Sequence, residues 1–201
     1  MKKLFIASVF LCWILTADGQ PLTNDERTLV IGMLEANSKR FLADIENISD
    51  TQWIYKPTPD TWSVAEVSEH ISLSDGLLLS IAQRSLKSPA DSIKAKALLG
   101  KEQAVIDKLK DRTYKAQAPE YLKPLHKFST RHELIEAFKQ TREETANYVK
   151  TTNDSLKDHV VPHPLFGDLT AYQWLVMIPA HANRHVDQLD EVKALKDFPL
   201  E

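Results

Sequence analysis

Thr170-Ala171-Tyr172-Gln173-Trp174-Leu175-Val176-Met177-Ile178-Pro179-Ala180-His181-Ala182-Asn183-Arg184-His185-Val186-Asp187-Gln188-Leu189 opens as a helix start. Thr170 and Gln173 have the spacing of a capping box, in which each side chain satisfies a free backbone donor of the first turn. Behind the cap, Trp174, Ile178, His181, His185, Leu189 and Val192 recur at helical intervals. This predicts a helix over about 171–196 with those six residues on its core-facing row. Residues four apart lie one turn apart on the same face, so His181 and His185 point together toward the interior. Two explanations stand open for such a pair. A metal ion is one, because neutral imidazole is the commonest nitrogen ligand. A polar layer of hydrogen-bonded histidines is the other. Pro179 lacks a backbone donor and crowds the Leu175 carbonyl, so a kink is expected just ahead of the pair.

The same start signal appears three more times, at Thr23-x-x-Glu26, Ser63-x-x-Glu66 and Thr130-x-x-Glu133. Two of the four starts add a hydrophobic staple across the cap, Trp62 with Val67 and Leu169 with Trp174. Four capped starts predict helices over about 24–47, 64–87, 131–152 and 171–196. The first carries an apolar row of Leu29, Met33, Phe41, Ile45 and Ile48. The second carries Val64, Val67, Ile71, Leu78 and Ile81, and the third Leu134, Phe138, Thr145 and Tyr148. Five glycines and little alternating apolar pattern argue against a sheet. The expected fold is therefore all-α, a four-helix bundle. Its connections are unequal. Pro57 and Pro59 make 49–62 an extended loop. The stretch from 88 to 129 is too long for a turn between neighbours and holds its own short helix near Lys101–Leu109. It is expected to cross the bundle's end and join two helices running the same way. Segment 153–169, with Pro162, Pro164 and Gly167, is expected to be a loop.

Lys2 and Lys3 precede an apolar run from Leu4 to Leu15, then Thr16-Ala17-Asp18-Gly19. That order predicts a signal peptide over residues 1–19, cleavage before Gln20, and an exported protein, periplasmic or extracellular. The run is shorter than the roughly 20 apolar residues of a membrane span, so no membrane association is expected after cleavage. Removing it lowers Lys+Arg from 25 to 23 and Asp+Glu from 28 to 27, leaving a net charge of −4 on a single domain over 20–201. No basic cluster suits nucleic acid. The only cysteine, Cys12, leaves with the leader, so disulfides and thiol nucleophiles are excluded from the mature chain. No serine sits on a nucleophile elbow.

A third imidazole is sought on another helix, and His70 is the best placed. It lies beside Ile71 and three residues after Val67, at the edge of the second helix's apolar row. Glu66, one turn earlier, is a candidate base acting on metal-bound water, or a group supporting a ligand; it is also the far end of the Ser63 cap. Gln188 lies on the histidine side of the last helix. Arg184, a quarter-turn away, could pair with a substrate carboxylate or reach a surface glutamate. His159 and His163 repeat the four-residue spacing, but Pro162 and Pro164 bar a helix there; both are loop residues, His163 being a candidate for the mouth of the site. His126 and His132 read as loop and first-turn residues, and Trp53, Trp62 and Trp174 as core and staple.

Taken together, Trp53-x-x-Lys56-Pro57…Trp62-Ser63-Val64-Ala65-Glu66-x-x-x-His70, Phe166-Gly167-Asp168-Leu169-Thr170 and His181-x-x-Arg184-His185-x-x-Gln188 resemble the DinB-like (DinB/YfiT) superfamily. The resemblance spans nearly all of the mature chain. It implies a four-helix bundle with a long crossover between the second and third helices. It also implies a divalent metal held by His70, His181 and His185. Three imidazoles leave coordination positions open, as catalytic sites do. Zinc or nickel is expected, with iron or manganese also compatible. Members of the superfamily include thiol-dependent transferases and isomerases. A leader peptide departs from that picture, because reduced small thiols are mainly cytosolic. The expected activity is metal-assisted hydrolysis or group transfer on a small-molecule substrate. The alternative is a non-catalytic bundle, with a structural metal or none, serving as a stress or interaction protein. Either leaves room for a homodimer, although no stripe marks its interface.

Overall fold

The computed structural model describes residues 20–113 and 117–200. The expected leader, residues 1–19, lies outside them. In chain order the described elements are α1 (Asn24–Ile45), α2 (Asp50–Ile54), α3 (Val64–Ser85), α4 (Ser92–Lys96), α5 (Glu102–Lys110), α6 (Arg131–Thr151), strands β1 (Val160–His163) and β2 (Gly167–Thr170), and α7 (Ala171–Lys193). A 3₁₀ turn, Glu120–Leu122, lies between α5 and α6. The chain is mostly helical. No described helix is long and apolar enough to cross a membrane.

All four predicted caps are used. At α1, α3 and α7 the box is reciprocal: the hydroxyls of Thr23, Ser63 and Thr170 each accept from the backbone N–H three residues on, and their own N–H groups donate to the side chain of that residue. At α6 only half of it forms. Thr130 Oγ1 accepts from the Glu133 N–H at 3.1 Å, but Glu133 turns to the Ser129 N–H at 2.8 Å. A fifth box, Ser49 with Gln52, starts α2 inside the segment expected to be extended. One helical turn fits ahead of Pro57, so the prolines stop this helix without preventing it.

Segment 153–169 also departs from expectation. β1 and β2 pair antiparallel, Val160 opposite Thr170 and His163 opposite Gly167. The alternation is too short to register as a strand pattern. Pro162 is tolerated because both strands of a two-stranded ribbon are edges. Gly167 takes φ +72°, a conformation that favours glycine.

Each long helix packs on two others: α7 on α3 and α1, α6 on α1 and α3. Two apolar clusters fill the space between them. One includes Val30, Leu34, Leu78, Leu79, Val149 and Leu175. The other includes Phe41, Ile71, Leu134, Phe138, Val186 and Leu189. α1 and α7 run from the first cluster to the second, and α3 and α6 run the opposite way. Between the clusters lies a polar layer with one residue from each long helix. Asn37 bonds Asn183 at 2.8 Å, and Arg142 bonds Asn37 and Asp75 at 2.7 Å each.

This layer explains where the apolar rows were misread. The buried row of α1 is Val30, Leu34, Asn37, Phe41 and Ile45. Leu29 is 41% exposed and Met33 only half-buried. A polar residue in the row's centre shifts the apparent stripe onto its apolar neighbours. Ile81 and Tyr148 are likewise half-buried, at the edge of the first cluster. α7 is buried all round from Ala171 to Ala180 because α5 covers it from outside with Val105, Ile106 and Leu109. Pro179 lies inside α7, within a helix that continues to Lys193.

Candidate metal centre

His70 of α3 meets His181 and His185 of α7 where these two helices pack. The Nε2 atoms of His70 and His185 are 3.2 Å apart, and those of His185 and His181 also 3.2 Å. One nitrogen from each ring lies within 4.8 Å of the other two. His70 is buried, whereas His181 and His185 are half-buried as whole residues, so the cluster has an inner and an outer side. Trp62 walls it, with its ring 5.0 Å from that of His70.

The far nitrogens decide the chemistry of the near ones. His70 Nδ1 lies 2.8 Å from the Leu122 carbonyl, which can only accept, so Nδ1 carries the proton and Nε2 is a bare lone pair. His185 Nδ1 lies 3.0 Å from Gln188 Oε1, and with the amide oxygen turned to the ring the same tautomer is selected. Burial lowers the His70 pKa, against the raising effect of the Leu122 carbonyl. Burial, then neighbouring His70, push His185 down to about 3, with Gln188 opposing. His181 is driven well down by burial, then by His185 and His70. All three rings are therefore neutral near pH 7, the state a metal requires of its ligands.

Two bare lone pairs facing each other at 3.2 Å repel unless a cation lies between them. An ion about 2.0–2.1 Å from each imidazole nitrogen sets neighbouring nitrogens about 2.9–3.4 Å apart at octahedral to tetrahedral angles. Both observed spacings fall in that range. His181 Nδ1 is buried with no hydrogen-bond partner among the described residues. Its ring is thus fixed by position on α7 and not by an acceptor. These residues fit a divalent ion.

The remaining candidates divide. Glu66 is committed elsewhere: it closes the α3 cap by accepting from the Ser63 N–H at 2.7 Å and pairs with Lys56 at 3.1 Å. Arg184 donates to the carbonyls of Leu109 at 3.0 Å and Asp111 at 2.5 Å, docking α7 on the end of α5. His163 ends β1, with its ring 5.1 Å from Trp174, two turns before His181 on the same row. His159 precedes β1, and its Nδ1 is buried without a partner among the described residues. His126 has φ +52°, and His132 is exposed in the first turn of α6. Trp174 is buried; Trp53 and Trp62 pack at the edge of the second cluster.

Three contributors escaped the sequence. Leu122 acts through its carbonyl and has no side-chain signature. Glu69, 4% exposed, accepts from the N–H groups of Leu125, His126 and Lys127 at 3.1, 3.1 and 3.0 Å, holding that segment beside Leu122. Ser74, one turn after His70, places Oγ 3.4 Å from His70 Nε2. A cavity of about 350 Å³ opens elsewhere, among Trp53, Lys56, Glu66, Phe128 and Arg131. The three histidines are not on its wall, and the convergent donors locate the chemistry better than that void does.

Helices from two directions that deliver three neutral imidazoles to one point define a helical protein able to hold a metal ion. Residues 33–189 match the DinB superfamily, and the chain belongs to it. It is also similar to the uncharacterized protein YuaE of Bacillus subtilis (strain 168), 29% identical over 150 residues, covering 75% of this chain and 88% of that protein.

Proposed function

We propose that this chain is an exported, metal-dependent enzyme of the DinB superfamily, built as a four-helix bundle with a long crossover from α3 to α6. His70, His181 and His185 hold one divalent ion, zinc or nickel first, with iron or manganese compatible with the same donors. The observation that carries this is the pair of proton-free Nε2 atoms, His70 and His185, facing each other at 3.2 Å. Such an ion, when bound, supplies a Lewis acid for hydrolysis or group transfer on a small molecule. The chain's own residues do the rest. Leu122 and Gln188 hold two rings in the ligating tautomer, burial keeps all three neutral, and Trp62 limits water on one side. Export rests on the N-terminal sequence pattern alone.

A structural ion in a non-catalytic bundle needs a fourth protein ligand. Among the described residues the cluster contains only the three histidines, and Glu66 is held by its cap and by Lys56. The enzyme is the better reading. Elemental analysis of untagged protein tests it, comparing wild type with His70→Ala and with His181→Ala/His185→Ala. About one metal per chain, lost in both variants while the helical signal persists, supports the shared site and justifies screening hydrolase and transferase substrates. A wild type that takes up no metal after reconstitution removes the proposal.

A further inference from the structure

Ser74 is 1% exposed and lies in the middle of α3. Its hydroxyl does not bond back to the preceding turn, as the hydroxyl of Ser68 does to the Val64 carbonyl at 2.7 Å. Its one polar neighbour among the described residues is His70 Nε2, at 3.4 Å. That is long for a hydroxyl bond, whose usual donor–acceptor distance is about 2.7–2.8 Å. A buried hydroxyl this weakly satisfied costs free energy and calls for an explanation, such as an acceptor that arrives with an ion or ligand. The acceptor it does have is the lone pair that a metal ion would take. Once that lone pair is bound to an ion, the hydroxyl can no longer donate to it.

From this we infer that Ser74 is a positioning residue for the ion's exogenous ligand: on metal binding its O–H turns from His70 Nε2 to donate to a small anion in the open coordination position. The inference rests on the three-histidine reading above and adds a fourth, protein-borne polar group to that site. The ligand class it selects is an anion whose coordinating atom keeps a second lone pair, such as a carboxylate, an oxyanion or azide. Among the described residues the hydroxyl is within hydrogen-bond distance of only one of the three rings, which suits a donor beside the ion better than a ligand to it.

The test uses the cobalt-loaded protein and azide as probe, followed by the visible cobalt spectrum. Cobalt uptake shows that the site has assembled in each variant. Ser74→Ala should take up cobalt as wild type does but bind azide about 10- to 100-fold more weakly, the loss expected for one hydrogen bond to a charged group. Ser74→Thr, which keeps the hydroxyl, should retain most of the affinity. Wild-type azide affinity in Ser74→Ala overturns the inference while leaving the metal site standing. If the alanine variant takes up no cobalt, Ser74→Cys replaces it, with similar size and a weaker donor. Weakened azide binding, or a thiolate-to-cobalt band, then supports the placement, and unchanged azide binding without such a band overturns it. A wild type that takes up no cobalt removes both the metal site and this inference.

Discussion

Two polar groups are buried within the same helical core, and they are built on opposite rules. In the layer between the apolar clusters, donors meet acceptors: Arg142 faces Asp75 and Asn37, and Asn37 faces Asn183. One residue comes from each long helix, so the layer ties all four together. In the histidine cluster, acceptors meet acceptors. The Nε2 atoms of His70 and His185 converge with their protons held on the far side of each ring. Asp75–Arg142 is a pair that the protein completes by itself, apart from Asp75 Oδ1 and Arg142 Nη1, which lack partners among the described residues. The histidines instead turn lone pairs toward one point, an arrangement that could hold a cation. Burial alone therefore does not separate structure from function. The direction of the protons does.

Changing one group and watching the other sharpens this contrast. The largest effect should come from His181→Ala/His185→Ala: metal uptake falls to zero, while the melting temperature of the metal-free protein, followed by circular dichroism, stays near wild type. Next is Asp75→Asn, which leaves the Arg142 charge buried without its counterion. Urea denaturation should show a loss of about 3–5 kcal/mol, and Asp75→Leu/Arg142→Met should recover most of it. If Asp75→Asn instead removes the metal and spares stability, the two groups are not separate devices. Gln188→Ala comes third. It leaves the three ligands and removes only the acceptor that orients His185, so metal affinity measured by competition with a chelator should fall about 10- to 100-fold.

A pH dependence also separates the two groups. His185 is held near 3 in the folded chain, against about 6.5 when unfolded. Between those values the unfolded chain binds the extra proton. Stability contributed by this ring is therefore full above about pH 6.5 and declines as pH falls toward 3. Burial raises Asp75 to about 6, against the pull of Arg142, so that carboxyl acts in the opposite sense between its unfolded value and 6. Comparing wild type with His185→Gln in chelator isolates the histidine. The variant's urea midpoint should change less as the pH is lowered, and identical profiles would refute the assignment.

What the sequence disclosed depended on how local the cause was. Caps at Thr23, Ser63 and Thr170 are three-residue chemistry, and they located the long helices well. His181 and His185 share a helix, so their convergence follows from its period. His70 required both the apolar row of α3 and the family resemblance. Asn37 and Arg142 were invisible as core residues because polar side chains in a buried row look like its edge. The β1–β2 ribbon escaped because four-residue strands carry too little alternation, and Val160-Val161 runs directly into Pro162 and Pro164. Ser74 follows His70 by one turn of α3, so the helix period places it once His70 is found. Leu122 and the Glu69 clamp join the site only because the segment after α5 folds back over α3, and no residue spacing encodes that.

The Glu69 clamp has a consequence in time. Loop amides usually exchange with solvent through small, frequent openings. Those of Leu125, His126 and Lys127 end on one buried carboxylate, so they should exchange slowly, and together. Only Lys123 and Pro124 separate them from Leu122, whose carbonyl holds the His70 proton in place. An opening that frees these amides also slackens the ring that presents its lone pair to the site. The rate at which three loop amides exchange thus sets a clock for how long His70 stays ready to bind.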